Sequence, residues 1–291
     1  MLKRLLLSLG LCGFLGALLA APAAVQPKIL FPIKRSNTSF EINLMDADGT
    51  DANKLTDSKV FNTFPAWSPN GKPISFCRYE EGQPSAIWIM DADGKNAKPL
   101  TKGPDRAPAW SPDGKTIAFS HNGEIHVMDA DGGNQINLTR NETFDVDASW
   151  SPDGKQIAFS SSRSGEGFKI YVMDADGENV TEISKTGNIL GFSFPAWSPD
   201  GKKIAYAEQD GTNLEIFLCD PDGENAKQLT KLGGKCTYAA WSPDGKQLLF
   251  RRLENDVAGA LYLMDADGGN QKAILKIEDT IDGCRPAWQP K

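Results

Sequence analysis

Residues 148 to 184 read ASWSPDGKQIAFSSSRSGEGFKIYVMDADGENVTEIS, and every part of this stretch has a counterpart elsewhere in the chain. Ala148 to Trp150 reads as a short strand, and Ser151-Pro152-Asp153-Gly154 as a turn with proline second and glycine fourth. Lys155 to Ser160 is a second strand, Ser161 to Gly167 a loop, and Lys169 to Met173 a third strand. Asp174 to Glu178 turns again before a fourth strand, Val180 to Ser184. All four are short, rich in β-branched and aromatic residues, and bounded by turn formers.

The tryptophan phrase recurs around Trp67, Trp110, Trp197, Trp241 and Trp288, so the six tryptophans lie 43, 40, 47, 44 and 47 residues apart. An acidic phrase travels with it: MDADG at 45–49, 90–94, 128–132, 173–177 and 264–268, and CDPDG at 219–223. A period of this length holding several short apolar runs marks four-stranded propeller blades. Strands spelled IAF and YVM lack the alternation of a half-exposed sheet, as expected where blades cover both faces. Residues 28 to 56 supply strands two to four of a blade, and 286 to 291 supply a first strand. The expectation is an all-β, six-bladed β-propeller of four-stranded antiparallel blades, one of them closed by the N- and C-terminal strands.

The phrases PAWSPDGKxIAF and IYVMDADGxNxxxLT resemble the WD40-like repeats of the TolB-type β-propeller family, over residues 28 to 291. That family includes a periplasmic protein with an α/β domain ahead of its propeller, and propellers fused to peptidases. This chain is read as a stand-alone propeller without the α/β domain.

The N-terminus places Lys3 and Arg4 before an apolar run from Leu5 to Ala20 and the small-residue site Ala21-Pro22-Ala23. That order is a secretory signal peptide over 1–23, with the propeller over 24–291, no membrane span after cleavage, and a periplasmic or secreted destination. Cys12 leaves with the signal. Without Lys3 and Arg4, 29 basic residues face 38 acidic ones, a net charge of −9. Such a chain repels phosphate backbones, which argues against nucleic acid. Of the remaining cysteines, Cys77, Cys219, Cys236 and Cys284, the last two stand at nearly equivalent points of adjacent repeats and form a candidate disulfide.

Aspartates at alternate positions before glycine suggest a calcium loop. Such a loop needs glycine at position 6 and a bidentate Glu at 12. Here glycine stands at position 4, and position 12 is Asp57, Lys102, Arg140, Lys185, Lys231 or Lys276. Five cations would repel the ion, so the turn reading wins and neither a metal nor another cofactor is expected. His126 fills the slot of Trp88, Tyr171, Phe217 and Tyr262 and reads as a packed ring; His121 reads as a solvated loop residue. There is no G-x-S-x-G elbow.

Both repeated turns fall on one face of the disc, and the loops that differ fall on the other. Recognition is therefore expected on the variable face, from Arg78, Tyr79, Arg106, Phe144, Phe192, Phe194, Tyr238, Arg251, Arg252 and Arg285. The chain is read as a monomeric, non-catalytic binding scaffold for an envelope protein or cell-wall component. The alternative is a loop-borne hydrolase or lyase acting on polysaccharide or peptide.

Overall fold

Proline fixes the backbone at the second position of Ser151-Pro152-Asp153-Gly154, and glycine closes the turn at its fourth. In the computed structural model, which describes residues 27–36, 39–56, 60–189, 191–254, 258–278 and 285–291, the strand Asp145–Trp150 enters this turn and Gln156–Ser161 leaves it. The Gly154 N–H donates to the Ser151 carbonyl at 2.9 Å. Lys169–Asp174 and Thr181–Glu182 complete an antiparallel set, with Phe159 opposite Tyr171 and Tyr171 opposite Glu182.

Among the described residues there are 24 strands and no helix, and the strands follow the repeats in antiparallel sets of four. We read each set as one blade. The set that draws on both chain ends pairs Ile29 with Trp288 and Leu30 with Ala287. The expected signal peptide, Cys12 and Cys284 lie outside the described residues.

In four of the first strands one extra residue bulges out two places before the Ala-Trp or Ser-Trp pair, between Thr63 and Ala66, Arg106 and Ala109, Val146 and Ser149, and Thr237 and Ala240. Phe64, Ala107, Asp147 and Tyr238 occupy these bulges with φ of 48°, 52°, 58° and 59°, left-handed values that cost a non-glycine residue about 1 kcal/mol or more.

The second strand of every set buries one aromatic ring: Phe31, Phe76, Phe119, Phe159, Tyr206 and Phe250. Burial of such a ring is worth about 1.5–3 kcal/mol. Over the described residues, the core is divided among clusters, six of which join two neighbouring sets, while a seventh brings Phe64, Ala107, Phe194 and Tyr238 together from four sets. Ala158, Ile170 and Val172 meet Trp197, Ile204 and Tyr206 of the next set, while Ile29, Phe31 and Met45 meet Leu249, Leu261 and Leu263 of the set before.

The Leu-Thr phrase that ends the repeat has its own use. Thr56, Thr101, Thr139, Ser184 and Thr230 accept the backbone N–H of Ile42, Ile87, Ile125, Ile170 and Ile216 through their side-chain oxygens, tying the fourth strand to the third.

The glycine of each acidic phrase presses on the backbone of the preceding set. A methyl group added at Gly132, where φ is +94°, would stand 2.6 Å from the Leu100 carbonyl oxygen. Gly49 meets Ile274 in the same way, Gly94 meets Leu55, Gly177 meets Leu138, Gly223 meets Ile183 and Gly268 meets Leu229, so the contact runs round the ring and across the chain ends.

Two outcomes test this packing. Gly132→Ala is expected to cost at least about 3 kcal/mol in urea unfolding, because left-handed strain adds to a backbone collision. Gly82→Ala, at a positive φ with open space around it, should cost only about 1 kcal/mol. Deleting residues 285–291 removes the strand opposite Ile29 and Leu30 and exposes a sheet edge; a loss of several kcal/mol or aggregation is expected, and unchanged melting would refute closure by the C-terminal strand.

Candidate functional site

The acidic turns spend their carboxylates on the backbone. The hydroxyls of Ser111, Ser151, Ser198 and Ser242 each donate to the aspartate two residues on, at 2.7 Å. The same oxygen of Asp113, Asp153, Asp200 and Asp244 accepts the N–H of the following lysine. In the second turn, Asp91, Asp129, Asp174, Asp220 and Asp265 accept from the side-chain amide of an asparagine five residues on, at 2.6 to 2.7 Å. That accounts for the asparagine in the phrase DADGxN. Among the described residues no three His, Cys, Asp or Glu converge as metal ligands would.

The first strands line the central channel. On the turn side the channel opens as a cavity of about 310 Å³ walled by Trp67, Trp110, Trp150, Trp197, Trp241 and Trp288 with prolines and alanines between them. The indole N–H groups of Trp150, Trp241 and Trp288 donate to the carbonyls of Ala109, Ala196 and Ala240 in the preceding sets, at 3.2, 3.1 and 3.1 Å. These bonds tie three of the six indoles to the preceding sets, while the buried N–H groups of Trp67, Trp110 and Trp197 find no such partner.

Three residues before each tryptophan stand Phe64, Ala107, Asp147, Phe194, Tyr238 and Arg285. They form the narrowing beyond the indoles. Phe194 lies 3.9 Å from Tyr238 between ring centroids, and Tyr238 lies 6.4 Å from Phe64. Arg106 stacks over Phe64 and Phe192 at 5.4 and 5.2 Å, and Arg251 lies 5.8 Å from Tyr238. Burial lowers the Arg285 guanidinium below its ordinary pKa, partly offset by the charge of Asp147 and by Tyr238.

The ten residues expected on the variable face therefore divide. Phe144 and Tyr79 are exposed, at 61% and 43%. Arg78 is half-buried, stacked on Trp88 at 4.1 Å and bonded to Asn62 at 2.9 Å. Arg252 donates to the carbonyls of Leu232 and Gly233 at 2.8 and 3.2 Å and to Glu254 at 2.9 Å, which makes it a clamp on the loop beside it. Arg106 and Phe192 are half-buried at the channel wall. Phe194, Tyr238 and Arg251 are buried in that wall. Arg285 lines the turn-side cavity instead of standing in the open on the variable face.

Three features escaped the sequence reading. Ile189 is 73% exposed, and it and Phe144 flank the 161–168 loop: a methyl on Gly167 would meet Ile189, and Ser162 bonds to the Phe144 carbonyl. The apolar run NIL inside a loop was its signal. Asp145 is buried and takes Arg163 at 2.9 Å. His121 is not simply solvated: its Nδ1 lies 2.6 Å from the buried Asp105 carboxylate, and its Nε2 lies 3.0 Å from the Asn122 amide. Asp105, Asp145 and Asn62 all stand five residues before a repeat tryptophan, so aligning the repeats by column would have found this polar position. The buried Asp105 carboxylate holds the imidazole by Nδ1, and the Asn122 amide meets its other nitrogen. His126 is a packed ring, 5.7 Å from Phe119 and 4.9 Å from His121, and burial lowers its pKa.

Cys77, Cys219 and Cys236 are free and buried, and burial pushes their thiols up to about 11, 12 and 12, which keeps them from acting as nucleophiles at neutral pH. Cys284, the expected partner of Cys236, lies outside the described residues.

The family profile described as TolB beta propeller domain matches residues 17–291. The Tol-Pal system protein TolB of Bordetella pertussis is 32% identical over 157 residues, 52% of this chain but only 35% of that protein. The crystal structure of TolB from Acinetobacter baumannii superposes with a TM-score of 0.72 at 27% identity, covering 91% of this chain and 67% of that one. An oligogalacturonate lyase in complex with manganese shares the fold alone, with a TM-score of 0.56 at 17% identity over 89% of this chain and 78% of that one. The chain thus spans about a third of the curated relative's length.

The turn aspartates set an acid limit. Serine hydroxyls, then lysine N–H groups, hold Asp113, Asp153, Asp200 and Asp244 below their ordinary pKa. A folded value below the unfolded one stabilises above the unfolded value, and the gain is lost as pH falls through about 4. The melting temperature should drop between about pH 5 and 3, and changing all four to Asn should flatten that drop. Asn70 already fills the position in one repeat, accepting Ser68 at 2.8 Å and Lys72 N–H at 2.9 Å.

Proposed function

This chain belongs to the TolB beta propeller domain family, and from that premise we propose that it is an exported, monomeric, non-catalytic binding scaffold of the cell envelope. Its variable loop face takes an envelope protein or a cell-wall component. The order of charge, apolar run and Ala21-Pro22-Ala23 supports export to the periplasm or beyond, with 1–23 as the cleaved signal and 24–291 as the propeller.

The observation that carries the reading is where large apolar side chains stay exposed. Of the five among the described residues, Tyr79, Phe144 and Ile189 stand at the variable loops, while Ile136 and Val180 lie at outer strands. Burying a large exposed apolar side chain returns about 1.5–3 kcal/mol when a partner covers it. Phe144 and Ile189 flank one loop, so a single partner surface could cover both. The turn face has its serines, aspartates and asparagines committed to internal hydrogen bonds and offers recognition less.

Phe144→Ala and Ile189→Ser are expected to weaken capture of the envelope partner by about 1–3 kcal/mol each without lowering the melting temperature. Arg252→Ala should instead lower the melting temperature, because two loop carbonyls lose their donor. Charge reversal at Lys115 and Lys155 on the turn face should leave capture unchanged. If those reversals abolish capture while the loop substitutions do not, the working face has been assigned the wrong way round.

A further inference from the structure

The turn-side cavity departs from the economy of that face. Its walls are indole, proline and alanine surfaces, and Arg285 is the one charged residue that lines it among the described residues. The equivalent positions hold Phe64, Ala107, Asp147, Phe194 and Tyr238, so nothing in the repeat demands a guanidinium there. The charge of Asp147, three sets away around the channel, acts on it. Ser149, on the same strand as Asp147, places a hydroxyl where most repeats have alanine.

From the turn prolines to the level of Arg285 each first strand covers six residues, for example Phe64 to Pro69, a depth on the order of 17 Å at strand rise. A wall of indole and proline rings suits an extended polyproline-like chain, whose backbone is already ordered and carries its carbonyls outward. The volume of about 310 Å³ admits small or proline side chains and not a folded element. A guanidinium at the deep end of an apolar channel calls for a carboxylate, which it can take through two parallel N–H donors.

We propose that the turn-side mouth of the channel is a second binding port, which takes the free carboxyl terminus of an extended peptide of small and proline residues and seats its carboxylate on Arg285. The port is separate from the variable face and does not depend on what that face binds. Ser149, whose Oγ accepts the Trp197 backbone N–H at 3.4 Å, keeps its hydroxyl proton to donate to the terminal residue from the opposite wall. The six indoles make the site self-reporting, since a chain entering among them alters their fluorescence.

The test is a titration of the mature protein, followed by tryptophan fluorescence and calorimetry, with acetyl-Pro-Ala-Pro-Ala as the free acid, the same peptide amidated, and octanoate. The free acid is expected to bind at least ten-fold more tightly than the amide. Arg285→Gln should abolish that difference, and Arg285→Lys should keep part of it. Equal binding of acid and amide to the wild-type protein, or failure of both to bind, overturns the proposal, and this comparison stands even if Arg285→Gln fails to fold. Octanoate binding as well as the peptide would show a site for aliphatic carboxylates and overturn the peptide assignment. Phe144→Ala should leave the titration unchanged.

Discussion

Face-to-face burial between neighbouring blades is the constraint on which the rest of this molecule depends. A four-stranded sheet whose middle strands read IAF and YVM has two apolar faces and no helix to cover either. Each blade hides one face on the blade before and the other on the blade after, and this works only if the series returns to its start. The clusters joining Phe31 to Leu249 and Tyr206 to Val172 are therefore the same contact at different places in the ring. Ile29 and Leu30 against Trp288 and Ala287 make that return with strands from opposite ends of the chain.

Once the faces must meet, the repeated turns acquire a second task. Glycine in the acidic phrase closes the hairpin, and it also lets the turn lie on a carbonyl of the preceding blade where a Cβ would not fit. The aspartates and asparagines around it satisfy the turn's own N–H groups, so this face holds its shape with local bonds. The indole N–H groups that reach back to Ala109, Ala196 and Ala240 tie the inner strands in the same direction. The six acidic turns, five MDADG and one CDPDG, are thus six copies of one joint between blades.

Function is written where the repeat lapses. In four repeats a bulge before the tryptophan turns one residue toward the channel at some cost in backbone strain, and there the chain uses Phe, Ala, Asp and Tyr. At the column five residues before the tryptophan, Asp105 and Asp145 hold His121 and Arg163 in place. On the variable loops Phe144 and Ile189 remain uncovered. The two ends of the channel are unlike: aromatic rings with arginines stacked among them on one side, bare indole and proline with a single guanidinium on the other.

The sequence by itself determined the strand order, the turns, the use of His126 as a packed ring and the pairing of the chain ends, because each follows from local spacing and turn chemistry repeated at a fixed period. It also placed both repeated turns on one face, since antiparallel strands leave no other choice. Only the tertiary structure decided which variable residues are presented. Tyr238, Phe194 and Arg251 read as surface anchors but are buried in the channel wall, Arg252 is consumed by loop carbonyls, and Arg285 faces the turn-side cavity. Side-chain exposure at these positions depends on the bulge that holds Tyr238, on the loop carbonyls that take Arg252, and on how closely the inner strands approach one another. None of these can be read from one repeat, because all are properties of the folded ring.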